Sequence, residues 1–331
     1  MHQEQSLSSH WAIVLAGGEG TRMQPLVRRW LGFNRPKQYC AFVGSRSMFQ
    51  HTVDRAALVT DPGRIVAVVG RDHGEDILTQ LQGRTIGRVI YQPRNCETAA
   101  GVFLPLTYIH AGAPDATVVI FPSDHFIHPE DRFLTAVRRI TDVAQDMPDR
   151  LVLLGIRPDR LEMEYGWIMP GASLSSTEDT PIREVHSFLE KPNRTQAVDA
   201  LRHGALWNTF VFAARAELLW QVGMRCFPDL MLRFERLKSV IGQPQEAHVL
   251  NTIYEDMPAY NLSTTLLQQA AGSAVVIELQ DVLWSDWGQP ARVAETLSRI
   301  GRAPAFPMEC LDHLLLPRPL AGASPEPTVQ P

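Results

Sequence analysis

From Trp11 to about Val119, short apolar runs rich in β-branched residues alternate with stretches whose apolar positions recur every three or four residues. The first kind reads as strands and the second as helices. Strands are expected at Trp11–Ala16, Ile65–Val69, Arg88–Tyr91, Thr117–Phe121 and Leu151–Ile156, and their near-continuous apolar character predicts burial on both faces. Crossover helices are expected at Met48–Leu58, His73–Leu81, Glu97–His110 and Pro129–Ala144. That rhythm implies an α/β fold built on a mostly parallel, doubly wound sheet.

After Gly155 the pattern loosens. Strands near Pro181–Leu189 and Leu206–Ala213, then helices over about Arg215–Met257, read as a second, sugar-sized lobe of the same unit. A strand at Ala274–Leu279 leads into Trp284-Ser285-Asp286-Trp287-Gly288, and a helix from Pro290 to Ile300, with Pro in its first turn, closes the domain. The expected organisation is an extension over 1–10, one domain over 11–301 and a tail over 302–331, because seven of the 24 prolines fall in the last 29 residues. Within that tail, 312–317 could dock back as one turn. There is no internal repeat.

With 331 residues, 45% hydrophobic and 20% charged, the chain has the composition of an ordinary globular protein with a sizeable core. A net charge of −5 supplies no cationic field for a phosphate backbone, so nucleic acid is not an expected partner. Cys40, Cys96, Cys226 and Cys310 form no C-x-x-C pair, which argues against a zinc ribbon or a disulfide scaffold and suits a reducing cytoplasm. The first ten residues lack a basic start and an apolar stretch, and no 18 apolar residues run together, so neither a signal peptide nor a membrane span is expected.

The candidate chemistry begins where the first strand runs into Gly17-Gly18-Glu19-Gly20-Thr21-Arg22. Glycines let a backbone approach a ligand closely with its N–H groups converging on an anion, and Arg22 adds a planar cationic fork. The loop does not fit G-x-G-x-x-G, because Met23 stands at the third glycine, nor the Walker pattern. Alone, the glycines read equally as a turn from strand to helix. Lys37 lies in Arg35-Pro36-Lys37-Gln38, where Pro36 stiffens the backbone and the ammonium can serve a phosphate, although a lone loop lysine is ordinarily just solvated.

Thr117–Phe121 ends in Pro122-Ser123-Asp124-His125, which puts a carboxylate just past the C-terminal end of a buried parallel strand, where ligands of open α/β sheets bind. Asp286 also follows a strand, between Trp284 and Trp287. Two carboxylates together with substrate phosphates suit Mg²⁺. Each aspartate alone also reads as a turn or helix-capping residue. His125 and His128 have no cysteine or third histidine nearby and are expected in a surface or supporting role.

Residues 15–26, LAGGEGTRMQPL, followed by Arg35-Pro36-Lys37-Gln38-Tyr39, resemble the signature of the sugar-1-phosphate nucleotidylyltransferases, most closely the mannose-1-phosphate guanylyltransferases. Met23 departs from the usual leucine and Gln24 from the tryptophan often found there. The resemblance covers about 11 to 295 and implies a Rossmann-like nucleotide-diphospho-sugar transferase fold with a sugar-binding lobe, here a transferase domain alone. It also implies substrates: a nucleoside triphosphate, with GTP favoured, and a hexose 1-phosphate, with mannose 1-phosphate favoured. By resemblance Ala16, Gly17, Gly18, Gly20, Thr21 and Arg22 hold the nucleotide, Arg22 and Lys37 act in catalysis, and Asp124 and Asp286 map onto the family's Mg²⁺ aspartates.

Glu164-Tyr165-Gly166-Trp167 resembles the family's Y-G-Y segment and Glu190-Lys191-Pro192 its E-K-P motif. Trp207-Asn208-Thr209 resembles W-N-[ST]-G, with Phe210 replacing the glycine. Gly166, Glu190, Lys191 and Asn208 are therefore expected on the sugar phosphate, against the plainer readings of a strand-end ion pair and a turn asparagine. Gln92-Pro93-Arg94-Asn95 resembles the start of the guanine-side loop, which puts Asn95 and Thr98 on the nucleotide, but Cys96-Glu97-Thr98-Ala99 departs from T-A-P-A. Glu97 reads either as an acceptor for the base or as first-turn helix charge. A uridylyl-, thymidylyl- or adenylyltransferase and a non-catalytic nucleotide-sugar binding subunit stay open. The absence of a D-x-D motif counts against a glycosyltransferase. A homodimer is allowed but not required.

Overall fold

The computed structural model describes residues 10–174 and 180–311. Its strands are β1 (Trp11–Ala16), β2 (Ile65–Gly70), β3 (Arg88–Gln92), β4 (Thr117–Pro122), β5 (Phe126–His128), β6 (Leu151–Ile156), β7 (Gly166–Ser173), β8 (Arg183–Glu190), β9 (Leu206–Arg215), β10 (Ala274–Leu279) and β11 (Leu283–Ser285). Among the described residues, nine of them form one sheet in the order β3-β2-β1-β4-β9-β6-β10-β8-β7, and β5 with β11 makes a separate ribbon. The run β3-β2-β1-β4 is parallel, as is β6 with β10. β9 inserts antiparallel between β4 and β6, so the sheet is mixed.

Alternation along each strand explains the double covering. Ile13, Val66 and Val68 belong to one apolar cluster, together with the helices Glu97–Gly112, Ala216–Cys226 and Pro228–Lys238. Ala12, Val14, Ala67 and Val69 belong to the other, with the helices Met48–Ala57 and Glu130–Asp146. Side chains that alternate across a strand thus feed two cores, and neither face of the parallel half is left to water.

The strands expected in the first half stand within a residue of their expected ends. The second half differs. Its strands join the same sheet as those of the first half, β7 and the helix Arg194–Arg202 were not anticipated, and β9 runs on through Arg215; in the first half the helix Gln24–Leu31 was not anticipated either. The expectation of an extended tail fails over 302–311. Phe306 and Leu311 are buried with Met23, Leu26, Phe42 and Trp287, and Trp30 packs on Phe306 at 5.6 Å, because two apolar side chains outweigh the proline between them. The turn considered at 312–317 lies outside the described residues. All four cysteines are free, and no described helix is long and apolar enough to cross a membrane.

Register positions the site. β1 and β4 are adjacent and parallel with Leu15 opposite Pro122, so the glycine loop after Ala16 and the Ser123-Asp124 corner leave the sheet side by side. In the β5–β11 ribbon, Ser285 stands opposite Phe126. Asp286 and Asp124, 162 residues apart in number, are thereby brought to the same end of that ribbon.

Candidate active site

The glycine loop is tied down from behind. The buried Gln38 amide donates from Nε2 to the carbonyls of Ala16 at 3.0 Å and Gly18 at 2.7 Å. Gly20 adopts φ 61, and a Cβ there would lie 3.0 Å from the Lys37 backbone nitrogen, so this position needs glycine for both conformation and space.

Lys37 is 6% exposed. Its ammonium stands 3.0 Å from Asp124 Oδ2 and donates to the Asp286 carbonyl at 2.5 Å. Burial pushes the Asp124 carboxyl up, but Lys37 chiefly, with His125, holds it below the ordinary carboxylate range. His125 Nε2 is 3.7 Å from Asp124 Oδ1 and its ring packs edgewise on Trp284. Burial, ahead of the opposing pull of Asp124, keeps that imidazole below its usual range. The supporting role expected for His125 agrees with this geometry, whereas His128 is exposed and away from Asp124.

Asp286 is the hub. Its Oδ1 accepts from Tyr165 Oη at 2.8 Å, Arg292 at 2.8 Å and the Gly288 amide at 3.0 Å. Against the cost of burial, Lys37 and Arg292 draw its carboxyl down to about 2. Arg292 is 6% exposed and also reaches Glu162 at 2.7 Å and Glu164 at 3.0 Å. Arg22 lies at the rim, 2.7 Å from Glu164 and 3.6 Å from Asp286 Oδ2.

These groups border or back a cleft of about 400 Å³. Gly17, Gly18, Asp124 and Asp286 border it, as do Asn95, Thr98, Gly166, Glu190 and Asn208. Asn95 Oδ1 accepts from the Glu97 amide and Thr98 Oγ1 from the Leu262 amide, so both residues shape the loop as well as facing the cleft. Gly166 leaves no room for a Cβ, which would sit 2.9 Å from Glu190 Oε2. Burial pushes the Glu190 carboxyl up, with Lys191 only partly offsetting it.

Of the residues expected in the site, Ala16 faces Gln38 through its carbonyl, and Gly20 and Thr21 do not border the cleft. Lys191 is exposed and outside the cleft lining; its φ of 45 turns the chain at the end of β8. Tyr165, Glu162, Gln38, Gln92 and Arg292 were not anticipated. One signal for Arg292 was available: it falls on the same helical face as Val293, Thr296 and Leu297, and a lone arginine on an apolar stripe implies a buried partner.

The family model for nucleotidyl transferases matches residues 11–296. The chain belongs to that family. It is 29% identical over 292 residues to a mannose-1-phosphate guanylyltransferase of Escherichia coli K12, covering 85% of this chain and 58% of that protein. Against the xanthan biosynthesis protein XanB of Xanthomonas campestris the figures are 28%, 88% and 60%. The chain thus spans about three fifths of the length of these curated relatives. Among solved structures, a Thermus thermophilus protein described as a mannose-1-phosphate geranyltransferase superposes with a TM-score of 0.74 at 24% identity, covering 88% of this chain and 80% of that one. A UDP-glucose pyrophosphorylase complexed with UDP-glucose superposes at 0.54 with 14% identity, covering 89% and 99%. These likenesses agree with the nucleotide-diphospho-sugar transferase fold that the glycine-loop motif implied.

Proposed function

We propose that this nucleotidyl transferase joins a nucleoside triphosphate, GTP in preference, to a hexose 1-phosphate, mannose 1-phosphate in preference. A phosphate oxygen of the sugar phosphate attacks the α-phosphorus in line, the bond to the β-phosphate breaks, and its electron pair leaves with pyrophosphate. The attacking oxygen is already anionic, so no general base is required and catalysis reduces to positioning and charge neutralisation. The observation that carries this reading is the meeting of Lys37, Asp124 and Asp286 beside the glycine loop, at a cleft that Glu190 and Asn208 also border.

Lys37 and Arg22 oppose the repulsion between two polyanions, roughly 4 kcal/mol per pair of unit charges 4 Å apart at an effective dielectric near 20. Arg22 leaves Glu164 for the triphosphate, while Gln289, 2.9 Å from Glu164 Oε1, and Arg292 keep that carboxylate in place. Glu190 accepts from sugar hydroxyls, and Asn208 contributes its amide.

The residues present fit Mg²⁺. The cluster sets four cations (Arg22, Lys37, Arg160, Arg292) against four carboxylates (Asp124, Glu162, Glu164, Asp286), so the side chains leave no net positive charge at the place where a polyanion must enter. Asp286 commits Oδ1 to three donors, and the remaining Oδ2, with Asp124, forms the hard oxygen set that Mg²⁺ takes. The ion would supply charge neutralisation to the phosphates.

Pyrophosphate release across four nucleoside triphosphates and several hexose 1-phosphates, with and without Mg²⁺, tests the reading. GTP with mannose 1-phosphate and Mg²⁺ is expected to be the fastest combination. Another base winning would transfer the assignment to a sister activity, and silence across the grid would favour a binding subunit.

A further inference from the structure

A second cavity, of about 540 Å³, lies behind the catalytic wall between Phe42–Met48, the Phe126–Glu130 segment and Trp287. His125 borders both this cavity and the cleft, so the two adjoin there. Its charged lining is lopsided: Arg46, Arg55 and Arg302 against Glu130 as the one carboxylate, with His51 and His128 beside them. Arg46 is committed to Asp54 at 2.8 Å and Glu130 to His51 at 3.4 Å. Arg55 and Arg302 join no ion pair among the described residues.

Arg55 is the decisive group. It is 3% exposed, donates from Nη2 to Thr52 at 2.8 Å, and its Nε has no hydrogen-bond partner. Burial lowers its pKa to about 10, which still leaves it charged at neutral pH. Glu130 and Asp54 offset that burial only from beyond ion-pair distance, which leaves room for a directly bound anion. Arg55 borders the cavity, and a guanidinium suits a phosphate or carboxylate. Size separates the candidates: a water molecule's share of liquid is about 30 Å³, so the cavity holds far more than a bare phosphate. Phe42, Phe126 and Trp287 supply an apolar wall for a carbon-bearing portion, with Phe126 and Trp287 stacked at 4.7 Å.

We propose that this cavity is a second ligand site, which binds a phosphate ester with its phosphate on Arg55 and Arg302 and its organic part against Phe42 and Phe126. The site shares a wall with the cleft but none of the catalytic cations. It stands or falls independently of the reaction proposed above, because binding can be read without turnover.

Calorimetric titration of the full chain with mannose 1-phosphate, guanosine diphosphate and inorganic phosphate, run separately, tests it. The wild type is expected to take two equivalents of at least one ester, and whether the sugar phosphate or the nucleotide fills the second site identifies the source. Arg55→Met is expected to weaken that second equivalent by about tenfold to a hundredfold, the loss typical of a charge-assisted hydrogen bond, while the first is kept. Arg302→Glu, on an exposed loop, is expected to weaken it likewise with turnover unchanged, and it decides the matter should the Arg55 variant fail to fold. A single equivalent for both esters in the wild type, binding of inorganic phosphate alone, or two undiminished equivalents in Arg302→Glu would each overturn the proposal.

Discussion

The two ends of the cleft are built on opposite principles. At the phosphate end every charge is engaged before any ligand arrives: Lys37 bridges Asp124 and the Asp286 carbonyl, and Arg292 ties Asp286, Glu162 and Glu164 together. At the recognition end polar atoms are left open. Gln92 is 3% exposed with no partner on Nε2, and Glu190 sits in a burial that pushes its carboxyl up. Charges that must stabilise a transition state work best when fixed in advance, whereas groups that read a substrate must be free to bond to it.

If the phosphate end is a preorganised unit, removing its cation should have the largest effect. Lys37→Ala is expected to slow pyrophosphate release by about 10² to 10³-fold, and near-normal turnover would break the distinction between the two ends. Arg292→Leu should next cost about 3 kcal/mol of stability, the lower range for leaving a buried charge unpaired, because Glu164 is partly solvated. Denaturant midpoints measure it, and an unchanged midpoint would mean that Arg292 is ornamental.

Acid sharpens the same point. The Asp286 carboxyl titrates near 3.8 when unfolded and at about 2 when folded, so its stabilisation of about 2 kcal/mol is whole above pH 3.8 and is lost as pH falls toward 2. Acid unfolding of Asp286→Asn should lack that limb, and a variant that keeps it would assign the limb to another carboxylate. At the recognition end the loss should appear in binding. Glu190→Gln is expected to raise KM for the sugar phosphate by about tenfold with kcat little changed. An equal fall in kcat would move Glu190 into the phosphate unit.

The sequence was most legible where one physical rule acts locally. Buried parallel strands must be apolar throughout, and β1, β6 and β10 occupy the stretches that this rule marks out. That Lys37 and the two aspartates would meet beside the glycine loop was legible only through the resemblance of their motifs to a family. Tyr165 and Arg292 were not, since their roles depend on which carboxylate the β5–β11 ribbon delivers, a long-range event. β7 escaped for a related reason: Gly166, Pro170 and Gly171 dilute its apolar alternation, and its pairing with β8 and β9 supplies what its own residues do not.

Phe210 marks where the contrast between the two ends is finest. It holds φ 59, a left-handed conformation that costs a non-glycine residue roughly 1–2 kcal/mol, and its ring borders the cleft beside Asn208. The ring also packs edgewise on Phe212 at 6.2 Å, a contact worth about 0.5–1.5 kcal/mol. In Phe210→Gly the relieved strain and the lost packing should nearly cancel, leaving the denaturation midpoint close to the wild-type value. The cleft wall would nevertheless recede, and Asn208 Oδ1, which accepts from the Phe210 amide at 3.1 Å, would sit on a looser turn. Discrimination between mannose 1-phosphate and glucose 1-phosphate, measured as the ratio of kcat/KM, is therefore expected to fall by about tenfold or less, the range open to a shape-based pocket. A ratio unchanged in a stably folded variant would show that Phe210 is tolerated in the turn without reading the sugar, and selectivity would then rest on Glu190 and Asn208.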